Sequence, residues 1–361
     1  PVNNFSTPVV MKIGLNVESL EFFNQISETV DFNIWITMMW KDEYLTWNNT
    51  NYNLNYLNVN TNKIWLPDLE LYNAAKLPNV YTIKDQATVY SDGTVIYKRP
   101  ALFSFLCPLK LERFPYDTQT CSMEFGSWKL NSHFLDVIPF SDGDDYKGIT
   151  INPDFSHNEW KIKSHSIQHN YNEYKCCPGE LWPVTKFDIS MSRNSEKYNI
   201  ILIMNIILVF TGFIISLIKF KIYKRTYILV FIPLAIIWLI QSISYKIPVI
   251  GYFSTMQKIL FMSFIVCEIF AASSGILYAL YSEFYDIIEK CFRYKYYING
   301  MFKEKDKNPH LVKKIDLDKE FLELSNQNKK NYIYKKIKLF DKVFKTIIIL
   351  IYIILLIIFF L

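Results

Sequence analysis

The alternation of polar and apolar residues changes once along the chain, near Arg193. Before this position, short stretches rich in β-branched and aromatic residues, such as 32–40, 87–90 and 94–97, are separated by turn signals such as Ser91-Asp92-Gly93. Many short strands bounded by turns are typical of an antiparallel β-sandwich. The pattern therefore predicts an antiparallel β-sandwich in the first half of the chain.

Long apolar runs replace this pattern after Arg193. They are Asn199 to Ile218, Tyr227 to Tyr245, Ile259 to Tyr281 and Thr346 to Leu361. At about 1.5 Å per residue of helix, each of the first three runs is long enough to cross most or all of a hydrocarbon core about 30 Å thick, and the fourth is slightly short. Buried core helices are the alternative, but four such runs in one chain favour a bundle of four transmembrane helices.

The positive charge between the runs predicts how the chain crosses the membrane. The connection 219–225 is dense in Lys and Arg, and the long connection 282–344 is rich in Lys. Such connections stay on the cytoplasmic side. An even number of spans then leaves the N-terminal domain and the C-terminus outside the cell. Because an exported domain needs an export signal and the sequence opens on Pro1 without one, we expect the chain to be processed or truncated.

The end of the long connection interleaves Lys with apolar residues from Tyr332 to Phe344, which predicts an amphipathic helix that leads into the last span. This interleaving argues against a nucleic-acid patch, so we expect membrane lipid and no nucleic acid around the chain. The predicted organisation is an extracellular β-sandwich in 1–195, three membrane helices in 196–281, a cytoplasmic connection in 282–344 and a fourth membrane helix in 345–361.

Composition and cysteine positions support an ordered chain that faces two compartments. The 361 residues are 51% hydrophobic and 17% aromatic, which excludes a disordered chain. Four of the six cysteines precede the first apolar run, where an oxidising compartment permits disulfides, whereas Cys267 and Cys291 are expected to be reduced. Glycosylation sequons at Asn4 and Asn48 fit the same extracellular side.

The sequence lacks the patterns expected of an enzyme. It contains no phosphate-binding Gly loop, nucleophile elbow or metal-spaced Cys/His set. His165 and His169 are four residues apart in a strand-like region, where this spacing does not place both on one helical face, and we interpret them as surface residues. We therefore expect no catalytic residues, no cofactor and no metal.

A specific resemblance comes from one short segment and the motifs around it. CPLKLERFPYDTQTC, from Cys107 to Cys121, encloses Phe-Pro-Tyr-Asp between two cysteines. This segment resembles the signature loop of the Cys-loop receptors, the pentameric ligand-gated ion channels. Further motifs follow the family order: Trp40-Lys-Asp42-Glu-Tyr-Leu45-Thr-Trp47, Ile64-Trp-Leu-Pro67-Asp68, Phe125-Gly-Ser-Trp128, Cys176-Cys177 and Ile247-Pro-Val-Ile-Gly251-Tyr. The resemblance covers nearly the whole chain and is weakest in the second span and the cytoplasmic connection.

The resemblance implies a disulfide between Cys107 and Cys121 that closes a coupling loop. Closing a loop of about fifteen residues removes about 3 kcal/mol of unfolded-state entropy in the chain-entropy model. Pro115 favours a bend that presents Phe114 and Tyr116 as an apolar tip. In the family this tip rests on the membrane domain, so the implied coupling residues are Phe114, Pro115, Tyr116, Asp117, Arg193 and Pro248. The alternative is that the disulfide is only a structural staple.

The resemblance is closest to nicotinic-type receptors of the alpha type. It implies a vicinal disulfide between Cys176 and Cys177 at the tip of a loop that caps the agonist, the alternative being two free or separately paired thiols. The implied aromatic cage consists of Tyr72, Trp128, Tyr174, Trp182 in place of a second tyrosine, and Trp35 from a neighbouring subunit. A quaternary ammonium cannot donate a strong hydrogen bond, so aromatic ring faces hold it. We interpret Trp40, Trp47 and Trp65 as structural.

The second span departs most from the family. Aligned within about one residue, it gives an inner end at Lys224-Arg225, a central gate at Leu234 and, on the same face, Tyr227, Phe231, Trp238 and Gln241 or Ser242. The Glu of cation-selective members is missing from the inner mouth, and basic rings there favour anions, whereas bulky apolar rings gate by dewetting. Pro233 within the span and Asn205 in the first span are further departures. The alternative is simple divergence, with the bulky side chains turned from the axis.

These features together predict one subunit of a neurotransmitter-gated channel that binds a cationic, acetylcholine-like amine. The resemblance implies a pentamer of identical or mixed subunits, and two different faces fit a heterologous interface that closes into a ring. We expect a homopentamer to conduct cations poorly and the subunit to work mainly beside a partner. The rival interpretations are a ligand-binding or auxiliary subunit of the same family, and a transporter, which lacks support because polar broken helices are missing.

Overall fold

A computed structural model describes residues 1–4, 6–80, 85–141, 143, 147–218, 222–248, 251–303 and 335–359, with backbone alone for 51–52, 79–80, 222–223 and 281–303. The chain divides into two compact units. The first comprises Pro1–Glu196 and Tyr245–Tyr252, and the second comprises Lys197–Ser244 and Phe253–Leu361. The short segment after the second span therefore belongs to the same unit as the N-terminal domain.

The first unit is built from strands. In chain order they are β1 (Val9–Asn24), β2 (Thr29–Thr46), β3 (Tyr56–Asn60), β4 (Leu69–Leu71), β5 (Asn79–Val80), β6 (Gln86–Tyr90), β7 (Asp92–Leu106), β8 (Thr118–Ser127), β9 (Leu135–Pro139), β10 (Ile149–Ile151), β11 (Trp160–Glu173) and β12 (Leu181–Arg193). The one-turn helix α1 (Asn49–Tyr52) and a short 3-10 turn (Thr61–Lys63) lie among them.

The strands form two sheets. The first sheet has the order β10-β1-β2-β7-β6-β3, with β5 paired to β7 and β9 paired to β1, and the second has the order β11-β12-β8-β4. Neighbouring strands are antiparallel except where β1 meets β9 and β10. The predicted antiparallel β-sandwich is therefore confirmed, with two parallel pairs that the pattern did not indicate.

Aromatic side chains join the two sheets. Phe103 of β7 meets Phe125 of β8 edge to face at 5.5 Å between ring centroids, and Phe125 meets Phe187 of β12 at 5.9 Å. All three rings are buried. In β2 the flanking Ile34 and Ile36 point into this core while Trp35 points outward, as period-two alternation requires. The core thus fixes which residues each sheet presents on its outer face.

The second unit consists of long helices. They are α2 (Glu196–Leu217), α3 (Ile222–Ser244), α4 (Thr255–Lys303) and α5 (Lys335–Phe359), of which α2 starts at the last residue of the first unit. Each contains a segment long and apolar enough to cross a membrane, as the sequence predicts. Residues 332–334 of the expected amphipathic helix lie outside the described residues, and from Lys335 onward the helix is continuous with the last span.

Polar contacts tie these helices together inside an otherwise apolar core. Asn205 of α2 donates through Nδ2 to Ser263 Oγ of α4 at 2.7 Å, and Ser263 Oγ lies 2.9 Å from the Tyr352 hydroxyl of α5. Cys267 is a buried free thiol in α4, as expected, and the side chain of Cys291 lies outside the described residues. Ser263 thus links α2, α4 and α5 through its hydroxyl.

Candidate functional site

Two residues of β8, Gly126 and Ser127, determine where the side chain of Tyr72 lies. Tyr72 follows β4, and its hydroxyl donates to the Ser127 carbonyl at 2.6 Å. A Cβ built on Gly126 would lie 2.5 Å from that hydroxyl, so only glycine leaves room for the tyrosine ring. The motif Phe125-Gly-Ser-Trp128 therefore has a structural reason for its glycine, which the sequence analysis did not assign.

Trp128 stands next to this tyrosine and is open to solvent. The two ring centroids are 6.2 Å apart at an interplanar angle of 75°, and Trp128 is 73% exposed. Burial raises the pKa of the Tyr72 hydroxyl well above its usual value, and the nearby Tyr174 and Asp68 raise it further. Tyr72 therefore stays a neutral hydrogen-bond donor at physiological pH, and Tyr174 lies close enough to influence it electrostatically.

Asp68 fixes the backbone on both sides of Trp128. Its Oδ1 accepts from Ser127 Oγ at 2.6 Å and its Oδ2 accepts from the Lys129 N–H at 2.8 Å. Ser127 Oγ in turn accepts from the Leu130 N–H at 2.8 Å. Asp68 belongs to the motif Ile64-Trp-Leu-Pro67-Asp68, and the structure shows that it positions the exposed tryptophan.

The hairpin of β11 and β12 carries Tyr174 and the two adjacent cysteines at its tip. Glu173 pairs with Leu181, so the segment between them forms the connection. Glu173 Oε1 accepts from the Gly179 N–H at 2.8 Å, and Gly179 has φ of +83°, a left-handed conformation that favours glycine. This segment, 174–180, is called the capping loop below.

Two contacts join the capping loop and its hairpin to the segment that follows Trp128. Asn131 Nδ2 donates to Glu180 Oε2 at 3.2 Å, and the Ser132 N–H donates to the Leu181 carbonyl at 2.8 Å. The loop and the exposed tryptophan are therefore parts of one local structure.

The adjacent cysteines are thiols in the structure, so the expected vicinal disulfide is not formed in it. The Cys177 thiol donates to Cys176 Sγ at 3.0 Å, well beyond a disulfide bond length of about 2.05 Å. Adjacent residues reach the disulfide separation only with strain. The hydrogen bond to Cys176 raises the pKa of the Cys177 thiol, with smaller contributions from burial and from the charges of Cys176 and Glu180.

The other two tryptophans predicted for the cage, Trp182 and Trp35, occupy different places. Trp182 lies on β12 opposite Asn172, and its buried indole N–H has no hydrogen-bond partner among the described residues. Trp35 lies on β2 of the first sheet and is 44% exposed on the outer face. The structure therefore brings Tyr72, Trp128 and Tyr174 together beside the hairpin of Trp182, and it places Trp35 on the other sheet.

The loop between Cys107 and Cys121 contains the expected disulfide, but its tip differs from the expectation. Phe114 and Pro115 are buried, and of the two predicted tip aromatics only Tyr116 is exposed. The prediction that Phe114 forms an apolar tip is wrong, because its ring lies against the Arg193 guanidinium at 4.8 Å. Partial burial raises the pKa of Tyr116.

Arg193 is the centre of a buried charge cluster beneath this loop. Its guanidinium bonds to both carboxylate oxygens of Asp117, and its Nη1 donates to Glu159 Oε1 at 2.9 Å. The ring of Trp160 lies 4.3 Å from Arg193 Cζ. The end of the last strand, the disulfide loop and the start of β11 are therefore held by one side chain.

A residue after the second span also reaches the disulfide loop within the first unit. The Leu111 N–H donates to the Tyr252 hydroxyl at 3.0 Å. Pro248, the residue of this segment predicted for coupling, is half-buried, whereas Tyr252, which ends the same motif, carries no predicted role. Val249 and Ile250 of that motif lie outside the described residues.

The predicted pore stripe of α3 is exposed in the single chain. Tyr227, Phe231, Leu234 and Trp238 are each more than half exposed. At the outer end Gln241 is exposed, whereas Ser242 is half-buried. At the inner end Lys224 is exposed. These side chains face away from the other helices of their own chain.

The assignment of Arg225 to this stripe is wrong. Its side chain is buried, and its Nη1 donates to the Ser216 carbonyl of α2 at 3.1 Å. Successive residues of a helix point about 100° apart, so Lys224 and Arg225 cannot share one face. A basic ring at the inner mouth would therefore come from Lys224 alone.

The surface residues singled out from the sequence lie on the first unit. Asn4 and Asn48 are exposed, and Asn48 Oδ1 caps α1 by accepting from the Thr50 N–H at 3.0 Å. His165 is exposed, whereas His169 is half-buried with Nε2 3.5 Å from Asp136 Oδ1. Within the described ranges no group of three or more His, Cys, Asp or Glu could hold a metal ion.

Comparison with known proteins adds to this geometry. Residues 1–195, more than half of the chain, match the family model described as neurotransmitter-gated ion-channel ligand binding domain. The chain is 32% identical over 209 residues to acetylcholine receptor subunit alpha-type acr-16 of Caenorhabditis elegans, covering 58% of this chain and 41% of that protein. It is 30% identical over 210 residues to neuronal acetylcholine receptor subunit alpha-2 of Homo sapiens, covering 58% and 39%. The chain thus spans about two fifths of the length of these curated relatives.

Proposed function

The chain belongs to the Cys-loop receptor family of neurotransmitter-gated ion channels as an alpha-like subunit, and we propose that it binds a small cationic, acetylcholine-like amine in an aromatic cage and couples this binding to a transmembrane ion pore. The cluster of Tyr72, Trp128 and Tyr174 beside the capping loop carries this proposal. The family consists of ion channels, and the chain is a membrane protein with an extracellular N-terminal domain.

The chemistry of the cage suits a quaternary ammonium. Such a cation lacks strong hydrogen-bond donors and is attracted to the negative faces of aromatic rings, each worth about 0.5–2 kcal/mol. Trp128 offers the largest exposed ring, and Asp68 holds its backbone in place. Trp182 completes the cage from β12, and oxidation of Cys176 and Cys177 to a vicinal disulfide would stiffen the capping loop.

The position of Trp35 supports assembly into a ring. It lies on the first sheet, whereas Trp128 and Tyr174 belong to the second sheet and its hairpin. A site that needs both sets of rings is completed by the Trp35 of a neighbouring subunit, which is a heterologous interface that closes into a ring. We propose a homo- or heteromeric pentamer surrounded by membrane lipid, with the C-terminus outside and 282–344 in the cytoplasm.

Coupling is proposed to run through the disulfide loop. Arg193 joins this loop to β11 and β12, whose tip caps the ligand. Tyr252 joins the same loop to the segment that continues into α4. Movement of the capping loop would therefore reach the helices through Arg193, the disulfide loop and the segment of Pro248 and Tyr252.

The exposed stripe of α3 favours a second candidate role. A ring of Phe231, Leu234 and Trp238 side chains is bulky and apolar, and such constrictions gate by losing water. We propose that a homopentamer conducts cations poorly and that the chain acts mainly as a ligand-binding or auxiliary subunit beside a partner. Because the Arg225 side chain is buried against α2 of its own chain, the positive charge at the inner mouth of the pore would come from Lys224.

Substitution of Trp128 tests the cage. Trp128→Ala should weaken binding of radiolabelled acetylcholine by at least about 1.5 kcal/mol, more than about tenfold, because the largest exposed ring is lost. Leu77→Ala is the matched control, since this residue is 90% exposed and packs against little. Unchanged binding by Trp128→Ala would refute the cage.

A further inference from the structure

The outer face of the first sheet carries more than Trp35. In the strand register Trp35 of β2 lies opposite Asn16 of β1, and Asn16 lies opposite Thr150 of β10. Directly opposed residues of neighbouring strands project from the same face. These three side chains therefore form a row across β2, β1 and β10, with the exposed indole at one end.

A carboxylate lies beside this row. Glu18 follows Asn16 by two positions on β1, and its two oxygens accept from the side-chain amides of Asn16 and Asn152. Asn16 is itself held, because its Oδ1 accepts from Thr150 Oγ1 at 2.7 Å. One amide from β1 and one from the residue that follows β10 therefore fix the orientation of the Glu18 carboxylate before any ligand arrives.

The negative charge of Glu18 is not balanced by the groups that hold it. Both donors are neutral amides, and none of the ion pairs formed between described residues includes Glu18. Lys98 projects from the same face and lies opposite Thr37, two positions after Trp35 on β2. Glu18 lies on the other side of Trp35 along the strands. Because Glu18 is half-buried, its field is screened less than that of a fully exposed carboxylate.

An aromatic cage attracts a cation through ring electrostatics but also accommodates an apolar group of the same shape, because aromatic rings bury apolar surface as well. A fixed carboxylate within about 10 Å attracts only the cation and also raises its rate of arrival. The outer face of the first sheet combines both elements in Trp35 and Glu18.

We propose that Glu18 is a specificity-determining residue that supplies the counter-charge for the cationic ligand at the interface completed by Trp35, with Asn16 and Asn152 as its positioning residues. This inference rests on the proposed function, because it needs the outer face of the first sheet to complete a neighbouring subunit's cage. It assigns the selection of a charged ammonium to the Trp35 side of the interface.

The test compares two ligands of equal shape on the full chain in membranes. The first is acetylcholine, and the second is its neutral carbon isostere, in which a tert-butyl group replaces the trimethylammonium group. Glu18→Gln should weaken acetylcholine binding by about three- to tenfold and change isostere binding by less than about twofold. Lys98→Gln, which removes a charge of opposite sign from the same face, should not weaken acetylcholine. Glu18→Asp should restore part of the loss.

Two results would overturn the inference while leaving the cage intact: acetylcholine affinity unchanged in Glu18→Gln, or both ligands weakened equally, which would give Glu18 a purely structural role. If the unmodified chain, alone and with a partner subunit, bound no acetylcholine, the proposed function itself would fail and the inference with it. Glu18→Gln that weakens acetylcholine selectively, together with a neutral Lys98→Gln, is the result we expect.

Discussion

Arg193 holds Asp117 with two parallel hydrogen bonds, from Nε to Oδ1 at 2.8 Å and from Nη2 to Oδ2 at 3.1 Å. Both side chains are almost fully buried. A buried pair of this kind has a high desolvation cost, so removal of one partner leaves an uncompensated charge. The ring faces of Phe114 and Trp160 enclose the guanidinium and leave little room for water to replace it.

Replacement of Arg193 should therefore destabilise the extracellular domain. Arg193→Met leaves the Asp117 carboxylate buried without its cation, and we expect a loss of about 3 kcal/mol or more, which lowers the melting temperature by about 6 °C or more. The melting temperature of Arg193→Lys should lie between those of Arg193→Met and the unmodified chain, because an ammonium keeps the charge but cannot reproduce the bidentate fork. Thermal unfolding of the purified chain measures both.

Lys186→Met is the control for this prediction. Lys186 lies 3.7 Å from Glu124 in a solvent-accessible pair, whose loss should cost less than about 1 kcal/mol. Equal melting temperatures for Arg193→Met and the unmodified chain would contradict the structural role given to the pair.

Gly126→Ala should disturb the cage through Tyr72. The added methyl group would meet the Tyr72 hydroxyl at 2.5 Å and the Pro183 carbonyl at 2.9 Å, so the ring must leave β8 and lose its bond to Ser127. Such overpacking costs about 1–3 kcal/mol. We expect acetylcholine affinity to fall by about tenfold, measured by equilibrium binding.

Gly143→Ala provides the comparison, because a Cβ at that glycine meets nothing within 4 Å. Tyr72→Phe should reproduce part of the Gly126→Ala effect, since it removes the same hydrogen bond without a clash. A Gly126→Ala chain that binds like the Gly143→Ala chain would show that Tyr72 does not contribute to the site.

The Cys177 thiol should react slowly at neutral pH. Its pKa is raised, chiefly by the hydrogen bond to Cys176, and only the thiolate form reacts with iodoacetamide. A raised pKa lowers the thiolate fraction at a given pH. Alkylation of the reduced chain should therefore be slower than that of an ordinary thiol at pH 8, and it should accelerate as the pH rises. Mass spectrometry of the loop peptide gives the rate.

Cys176→Ala tests the cause of this shift. The variant removes the hydrogen-bond partner that contributes most to the raised pKa of Cys177 and leaves no acceptor in its place, so alkylation of Cys177 at pH 8 should become faster. A slower or unchanged rate would show that the Cys176 thiol is not responsible. Loss of alkylation on mild oxidation of the unmodified chain, with a mass decrease of two hydrogens, would report the proposed vicinal disulfide.

Tyr252→Phe should separate ligand binding from response. The substitution removes the acceptor of the Leu111 N–H but no contact of the cage, so acetylcholine affinity should stay within about threefold while any evoked current in a receptor that contains this subunit falls. Tyr44→Phe, whose exposed hydroxyl makes only a 3.5 Å contact, is the control. Equal loss of binding and current would show that Tyr252 stabilises the domain and does not act specifically in coupling.

The pore prediction concerns the chain expressed alone. We expect little agonist-evoked cation current from it. Rings of Phe231 and Trp238 side chains from the exposed stripe of α3 would narrow the pore and exclude water from it. Phe231→Ser with Trp238→Ser should increase any such current. A large current from the unmodified chain whose reversal potential follows sodium would contradict this prediction.

The sequence allowed correct prediction of features that depend on local pattern. Period-two alternation in β2 identifies the buried Ile34 and Ile36, and apolar runs identify the four helices. Features that depend on distant partners were missed. Phe114 is buried because Arg193, far along the chain, provides a surface for its ring, and no local signal reports that contact.

The remaining differences also have physical causes. Arg225 and Lys224 differ in orientation because a shift of one helical residue turns a side chain by about 100°, which is within the uncertainty of the alignment. Asp68 and Tyr252 were visible as motif residues, but their roles depend on backbone groups of other segments. Glu18 carries no motif, and its significance comes from its hydrogen bonds to Asn16 and Asn152, which no local sequence signal reports.

The hydrogen bond between Leu111 and Tyr252 requires a particular side chain only at position 252. Its donor is a main-chain N–H, which every residue except proline would supply at position 111, whereas its acceptor is a single phenolic oxygen. Genetic drift at position 111 therefore leaves the bond intact, while a one-nucleotide change from tyrosine to phenylalanine at position 252 removes it without altering the shape of the side chain. A survey of natural variants should accordingly find that position 111, whose side chain is fully buried, accepts apolar residues other than proline, and that position 252 tolerates few residues.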